Sequence, residues 1–428
     1  MPDFIPEQLR ACLPLIDKST LGVWWVGFSG GLDSTVLLHA LVQLNLPVSV
    51  RALHINHQIS PHANSWQRQC EQFCQQLGVS FFAEKVQVIN SGKGIEDAAR
   101  AARYQVFERY VDSGDCLLTA HHGNDQAETI LLRLLRGAGP RGLAAIGSAR
   151  QLSSGGKLIR PLLQFSRAGL EAYAREQKLP WVEDESNQDD HYDRNFLRNQ
   201  VMPLLQHRWP ALIRKCQQTA DLCAQQENLL DEFAKQDLEQ ANPRSERMGR
   251  SIDLLWLKSL SSARRQNLLR YWLRQSGCDL PEVVHLQQLE IQLFNAREDA
   301  SVEIAWGEYS LRPYQTRLFL LPAVLPPMIL DLVQLSAPEN NSASYLRADI
   351  PNLHIRFRSG GERCKPAGRA HSQTLKKLLQ EYHLEPWLRN SVPLLYSGDQ
   401  LVAVGDLWIC EGYVAPGGVA AVKPVWCS

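Results

Sequence analysis

The stretch LGVWWVGFSGGLDSTVLLHALVQL, residues 21–44, combines an apolar run, a glycine-rich turn and a helical pattern. The run over 21–28 is continuous rather than alternating, which is typical of a strand buried on both faces of a parallel sheet. The segment FSGGLDS (28–34) supplies a tight turn, and DSTVLLHALVQL (33–44) predicts a helix. This order predicts a strand, a loop and a helix at the start of an α/β domain.

The alternation of strand and helix patterns continues to about residue 165. Strands are predicted over 48–56, 80–88, 115–122 and 157–163, and helices over 62–78, 95–112 and 124–137. Such alternation predicts the α/β class, a doubly wound parallel sheet with helices on both faces. Ligands of these sheets bind at the carboxyl ends of the strands, so the loops there are the candidate site.

The 428 residues are enough for several domains. We expect a catalytic domain over 1–212, a mostly helical domain over 213–325 and a small α+β domain over 345–428. Within these, a short β-meander is predicted over 302–321, a helix over 373–384 and a hairpin at YSGDQLVAVGD (396–406).

Charge and cysteine usage exclude several classes of protein. Lys plus Arg equals Asp plus Glu at 45 each, so the overall charge does not indicate a polyanionic partner, although local patches can still bind one. No apolar run reaches 18 residues and no signal sequence is evident, so we expect a cytoplasmic protein without membrane binding. The ten cysteines form no Cys-x-x-Cys pair, so neither an iron–sulfur cluster nor a zinc site is expected.

The glycine-rich loop is a candidate phosphate site. Glycines let the backbone turn tightly and approach an anion, while the N-terminus of the next helix adds N–H groups and a partial positive charge. A carboxylate would repel phosphate, but Asp33 fits the loop if Mg²⁺ lies between them. The predicted ATP-binding loop comprises Ser29, Gly30, Gly31, Leu32, Asp33 and Ser34.

A second candidate is the acidic pair in HHGNDQAETILLRLLRG (121–137). Asp125 and Glu128 are spaced i and i+3, so they share one face of the first helical turn after the fourth strand. Two interpretations stay open: ordinary partners of the helix dipole, or groups that hold Mg²⁺ or a substrate ammonium or act as a general base. Arg100 is expected to face the same cleft, and His57, after the second strand, to line an adenine pocket.

The motif SGGLDS resembles the pyrophosphate loop of the N-type ATP pyrophosphatases. Four further blocks make the chain similar to the bacterial tRNA(Ile)-lysidine synthetase family: HINH (54–57), EDAARAARY (96–104), HHGNDQAETILLRLLRG (121–137) and the segment over 181–205. One departure is Asn124 before Asp125, where many members carry two consecutive aspartates. Any role that needs the extra carboxylate is in doubt here.

The resemblance implies an ATP-dependent ligase that joins free L-lysine to C2 of cytidine 34 in a CAU-anticodon tRNA(Ile), with release of pyrophosphate and AMP. ATP and Mg²⁺ are the implied cofactors, with Mg²⁺ near Asp33 through the phosphates. Asp33, Asp125 and Glu128 are the expected catalytic residues, and Arg100, Asp125 and Glu128 the expected lysine-binding residues. Arg194 and Arg198 are expected to bind tRNA, and a homodimer is among the expected assemblies.

A basic segment near the C-terminus is the other candidate for RNA binding. Residues 352–390 hold three acidic side chains against eight basic ones: Arg356, Arg358, Arg363, Lys365, Arg369, Lys376, Lys377 and Arg389. Such a patch suits a phosphate backbone, and a solvated basic face is the other interpretation. Arg356, Arg358, Arg363, Lys365, Lys376 and Lys377 are the expected tRNA contacts.

Two alternative functions remain open. The first is a related tRNA-thiolating enzyme of the 2-thiocytidine type, which the missing Cys-x-x-Cys pair disfavours. The second is an inactive tRNA-binding scaffold, which the intact SGGLDS loop with Asp125 and Glu128 disfavours.

Overall fold

The computed structural model describes residues 4–14, 22–88, 95–183, 185, 189–279, 291–293, 302–326, 328–336 and 345–427. The chain forms two compact units, 1–229 and 230–428. The finer division into domains over 1–212, 213–325 and 345–428 stays a prediction. None of the helices in these ranges is both long and apolar enough to span a bilayer.

The first unit contains a six-stranded sheet in the order β3-β2-β1-β4-β6-β5. Its strands are β1 (Trp24–Gly27), β2 (Val50–Asn56), β3 (Ser80–Lys85), β4 (Cys116–Leu118), β5 (Ala149–Gln151) and β6 (Lys157–Ile159). All neighbours are parallel except β5 and β6. The sequence did not predict β5, because its three residues are exposed and carry no apolar alternation.

Helices connect and cover the strands. They are α1 (Leu32–Gln43), α2 (Ala63–Leu77), α3 (Ile95–Tyr110), α4 (Gly123–Leu135), α5 (Pro140–Leu143), α6 (Arg167–Glu176), α7 (Asp193–Phe196), α8 (Met202–Arg208) and α9 (Leu212–Gln240). A π-helix over Leu197–Val201 joins α7 to α8, and a 3₁₀ turn spans Pro6–Cys12. The helix α9 continues into the second unit.

The sheet has a hydrophobic core on each face. Trp24 and Val26 pack with Leu37 of α1 in one core, whereas Trp25 packs with Phe107 of α3 in the other. Successive residues of a strand point to opposite faces, which is why β1 must be apolar at consecutive positions. The doubly wound α/β class predicted from the sequence is confirmed.

The described residues of the second unit form four further sheets. Their strands are β7 (Arg244–Ser245), β8 (Arg250–Asp253), β9 (Ile304–Trp306), β10 (Tyr309–Tyr314), β11 (Arg317–Pro322), β12 (Ile329–Leu335), β13 (Leu346–Arg347), β14 (Leu353–Phe357), β15 (Arg363–Cys364), β16 (Gln373–Thr374), β17 (Pro393–Ser397), β18 (Gln400–Val404), β19 (Trp408–Ile409) and β20 (Ala421–Cys427). The helices are α10 (Leu254–Ser259), α11 (Ser262–Gln275) and α12 (Leu375–Glu381), with a 3₁₀ turn over Pro386–Leu388.

Helices and an antiparallel sheet share one core in the region expected to be mostly helical. The sheet order is β7-β8-β11-β10-β9, and Leu268 and Trp272 of α11 pack with Leu311 and Leu318 of β10 and β11. The predicted meander corresponds to β9, β10 and β11, and the predicted hairpin to β17 and β18. The sequence did not predict β7 and β8, which are short and largely polar.

Candidate functional site

The glycine loop between β1 and α1 needs glycine at its centre. Gly30 has a φ of +83°, a left-handed conformation that side chains disfavour. A Cβ atom there would lie 2.5 Å from Sγ of Cys70, which is buried on α2. The carbonyl of Gly30 accepts a hydrogen bond from N of Val182 at 2.9 Å. Contacts on two sides therefore fix the loop at the carboxyl end of β1.

Hydrogen bonds of Ser29 and Ser34 stabilise the loop. The hydroxyls of Ser29 and Ser34 lie 3.0 Å apart, N of Gly31 donates to Oγ of Ser29 at 3.3 Å, and Oγ of Ser34 donates to the carbonyl of Gly31 at 3.0 Å. Gly31 caps α1 without a side-chain hydrogen bond, and Leu32 is buried as the first helical residue. An N-terminus without a side-chain cap leaves backbone N–H groups that can bind an anion.

Asp33 has one oxygen that is free to accept a ligand. Its Oδ1 is buried and makes no hydrogen bond within the described residues, and its Oδ2 lies 3.5 Å from Nε2 of His122. The described ranges hold no cluster of three His, Cys, Asp or Glu side chains able to cage a metal. Mg²⁺ is usually held by one or two carboxylates together with substrate phosphates, and Asp33 fits that pattern.

His122 connects Asp33 to the acidic pair. It is the N-cap of α4, where N of Asp125 donates to its Nδ1 at 3.4 Å and its own N donates to Oδ2 of Asp125 at 3.0 Å. Burial lowers the pKa of His122, but the carboxylates of Asp125 and Asp33 outweigh burial and raise it overall. The cap bond requires an unprotonated Nδ1, so a neutral His122 carries its proton on Nε2, which faces Asp33.

Asp125 and Glu128 are paired with two arginines from the segment around the π-helix. Arg194 donates to Oε2 of Glu128 at 3.0 Å and to Oδ1 of Asp125 at 3.1 Å. Arg198 donates to Oε1 and Oε2 of Glu128 at 2.8 and 2.9 Å and to Oδ1 of Asp125 at 3.0 Å. We call these four residues the acid–arginine cluster. The structure thus joins residues predicted for lysine binding to residues predicted for tRNA binding, and both roles stay predictions.

The acid–arginine cluster is largely buried. The side chain of Glu128 is 1% exposed and that of Asp125 is 12% exposed. Burial alone would raise the pKa of Asp125, but His122 and Arg194 more than offset it and hold that pKa well below its ordinary value. Asp125 is therefore ionised at neutral pH and, in this state, is a weak proton acceptor.

A cavity of about 640 Å³ opens beside these groups. The loop residues Ser29, Gly31, Asp33 and Ser34 line one side, and Asp125 also reaches it. The ends of β2 and β4 and the helices α2 and α3 supply most of the remaining wall: Asn56, His57, Gln58, Trp66, Arg103, Tyr104, Phe107, Thr119 and His121. The cavity lies at the carboxyl ends of the strands, where the sequence placed the candidate site.

Two histidines of the cavity wall are held neutral. Burial lowers the pKa of His57 to about 4, with help from Arg103 and His54. Burial also lowers the pKa of His121 to about 3, with nearby arginines adding to the effect and Asp125 opposing it. Nδ1 of His57 is buried and makes no hydrogen bond within the described part of the chain, so it can meet a polar ligand atom. His57 lines the cavity, and its contact with adenine stays a prediction.

Arg100 contacts the wall of the cavity rather than the acidic pair. Its guanidinium carbon lies 5.2 Å from the ring centroid of Tyr104, and that of Arg150 lies 4.6 Å from the same centroid. Burial raises the pKa of Tyr104, but Arg100, Arg160 and Arg150 outweigh it and lower the pKa overall. Arg150, on β5, and Arg160, directly after β6, were not predicted as site residues, because only the tertiary structure brings them beside Tyr104 of α3.

Most basic side chains of the C-terminal patch have acidic partners. The ion pairs that involve its predicted contacts are Arg356–Asp399 at 3.2 Å, Arg358–Glu362 at 3.8 Å, Lys377–Glu381 at 3.9 Å and Lys365–Glu411. Arg363 donates to the carbonyl of Ser372 and, like Lys376, is exposed. Two of the acidic partners, Asp399 and Glu411, lie outside residues 352–390. The local excess of positive charge is therefore smaller than the sequence of that segment indicated.

Comparisons with known proteins agree with this architecture. Residues 7–205 match a family model described as a PP-loop domain, residues 253–319 one described as the TilS substrate binding domain, and residues 353–426 one described as the TilS substrate C-terminal domain. The fold and the glycine loop thus define the first unit as a PP-loop domain, which uses ATP.

Individual relatives extend the match over nearly the whole chain. A tRNA(Ile)-lysidine synthase of Coxiella burnetii is 38% identical over 97% of this chain and 95% of the relative. Proteins with the same name from Yersinia pseudotuberculosis and Escherichia coli O157:H7 are each 40% identical, over 90% and 92% of this chain and 91% and 94% of the relatives. The chain belongs to the tRNA(Ile)-lysidine synthase family.

Proposed function

We propose that this protein ligates L-lysine to C2 of cytidine 34 in a CAU-anticodon tRNA(Ile), using ATP. The observation that carries the proposal is full-length identity of 38–40% to three proteins named tRNA(Ile)-lysidine synthase. A cavity that joins the phosphate loop to Asp125 gives the reaction a place to occur. Relatives that bear this name favour the ligase over the thiolating enzyme and the inactive scaffold.

The loop performs the first half of the proposed reaction. The cytidine C2 carbonyl oxygen attacks the α-phosphorus of ATP, pyrophosphate leaves, and an adenylated base remains. Backbone N–H groups at the start of α1 would stabilise the charge that develops on the phosphate oxygens. When bound, Mg²⁺ would neutralise part of this charge, with Oδ1 of Asp33 as its protein ligand.

The acidic pair serves the second half. The ε-amine of lysine adds to C2 and AMP leaves. Only the neutral amine is a nucleophile, so one of the two carboxylates of the acidic pair is proposed to take its proton. Asp125 and Glu128 would attract the ammonium form of lysine. Arg100, beside Tyr104, would offset the negative charge of the substrate carboxylate or of the departing pyrophosphate. Arg356, Arg363 and Lys376 are proposed to contact tRNA phosphates.

The direct test is mass spectrometry of tRNA nucleosides after incubation with ATP and isotope-labelled lysine. The expected product is a cytidine derivative that carries one lysine and no added sulfur. A sulfur-containing nucleoside would indicate a thiolating enzyme, and unmodified tRNA would indicate a scaffold. Either result would overturn the proposal.

Substitutions of three acidic residues assign the steps. Asp33→Ala should abolish lysine-independent adenylation of the tRNA, whereas Asp112→Ala, at an exposed position after α3, is the matched surface control. Asp125→Asn and Glu128→Gln should change the KM or kcat for lysine. Retained adenylation in Asp33→Ala would exclude Asp33 from the metal role. Near-normal lysine kinetics in both Asp125→Asn and Glu128→Gln would exclude the acidic pair from lysine binding.

A further inference from the structure

Most of the acceptor capacity of the acidic pair is used in this state. Oδ1 of Asp125 accepts hydrogen bonds from both arginines, and its Oδ2 accepts one from N of His122. Oε1 of Glu128 accepts one from Arg198, and its Oε2 accepts one from each arginine. These six hydrogen bonds fill most of the roughly eight acceptor positions of the two carboxylates.

Charge balance points the same way. Two carboxylates meet two guanidiniums in a cluster where the glutamate side chain is 1% exposed. An added ammonium would give this buried cluster a net positive charge, and an uncompensated buried charge is strongly unfavourable. A lysine side chain that is to bind Asp125 and Glu128 must therefore displace one guanidinium.

Arg194 is the arginine that is held less firmly. It makes two hydrogen bonds to the acidic pair, whereas Arg198 makes three, and its side chain is the more exposed of the two, 29% against 24%. It lies on α7, a single turn that leads into a π-helix, a geometry frequent at functional sites.

The residues around Arg194 favour RNA as the partner that displaces its guanidinium from the acidic pair. Tyr192 and Phe196 flank it and are 45% and 48% exposed. Exposed aromatic rings beside a guanidinium are typical of surfaces that stack bases and bind phosphates. Asp125 lines the cavity, so it stays accessible to a small substrate if Arg194 leaves.

We propose that the guanidinium of Arg194 occupies the position that the ε-ammonium of lysine takes at Asp125 and Glu128, and that RNA phosphates draw it away. Lysine then binds well only after tRNA has bound. This inference rests on the proposed function, since it assigns lysine to that same acidic pair. It makes Arg194 a residue that sets the order of substrate binding.

The test is lysine binding measured by equilibrium dialysis with radiolabelled lysine. Arg194→Gln should bind lysine roughly tenfold or more tightly than wild type without tRNA, because one set of competing charge-assisted hydrogen bonds is gone. Arg175→Gln removes an exposed ion pair with Glu171 on α6 and is the matched control, expected to match wild type. Weaker or unchanged lysine binding in Arg194→Gln would overturn the proposal, because it would show that Arg194 does not compete with lysine for the acidic pair.

A second arm uses the wild-type protein and does not depend on the folding of a variant. Adding unmodified tRNA(Ile), without ATP, should tighten lysine binding by a similar factor, whereas an unchanged affinity would refute the binding order. Failure of the proposed function looks different: no lysine-containing nucleoside forms under any condition. If lysidine forms but neither affinity changes, only the role of Arg194 is wrong.

Discussion

Replacement of Gly30 by alanine tests whether the phosphate loop depends on its packing against α2. The new Cβ would lie 2.5 Å from Sγ of Cys70, and that thiol is itself 2% exposed. The φ of +83° adds strain for any residue with a Cβ. Two separate costs are therefore expected at one position.

Their sizes can be worked out separately. A left-handed conformation costs a residue with a Cβ about 1–2 kcal/mol, and overpacking costs about 1–3 kcal/mol. We expect Gly30→Ala to lower the free energy of unfolding by about 2–5 kcal/mol. Cys70→Ala removes the clashing sulfur at a cost near that of one buried methylene, about 1 kcal/mol. Only the overpacking part is relieved in the double variant, which should be about 1–3 kcal/mol more stable than additivity gives.

The assay is urea unfolding followed by circular dichroism for wild type, both single variants and the double variant. Gly31→Ala is the matched control, because its backbone has a φ of −74° and its added Cβ would meet no atom closer than 3.5 Å. It should change stability by less than about 1 kcal/mol. If the effects of Gly30→Ala and Cys70→Ala add to within about 0.5 kcal/mol, the steric argument is refuted.

Three further predictions concern the charged groups. Glu128→Gln should destabilise the protein by about 3 kcal/mol because it leaves a guanidinium uncompensated. In the double variant with Arg198→Gln, the loss of stability should be about 1–3 kcal/mol smaller than the sum of the two single losses. Urea titrations check this, and additive losses would contradict it. The folded state holds His121 unprotonated with a pKa of about 3 against an ordinary 6.5, so below pH 6.5 the unfolded chain binds a proton that the folded chain does not. Stability should therefore fall as the pH drops from 6.5 towards 3, and His121→Gln should flatten this dependence in urea midpoints taken across that range. Asp33→Asn should raise the Mg²⁺ concentration for half-maximal pyrophosphate release about tenfold or more, and an unchanged Mg²⁺ titration would exclude the carboxylate as a ligand.

The sequence by itself determined the five parallel strands, the helices α1 to α4 and the place of the phosphate loop. The continuous apolar run before SGGLDS requires a strand covered on both faces, and β1 has a core on each side. The end of β4 and the start of α4 followed from a local pattern as well, since an apolar strand runs into a helix predicted to begin at Asn124, one residue after its observed start. Such features depend on residues a few positions apart, so periodicity and capping predict them.

The tertiary structure alone decided which charges meet. Arg194 and Arg198 lie about seventy positions after Asp125 and Glu128, and nothing local to either segment indicates that they form one buried cluster. Asp399 and Glu411 likewise neutralise basic residues of a segment that looked strongly positive. Ion pairing depends on distance and burial in space, whereas a sequence pattern reports only which face of its own helix or strand a residue occupies.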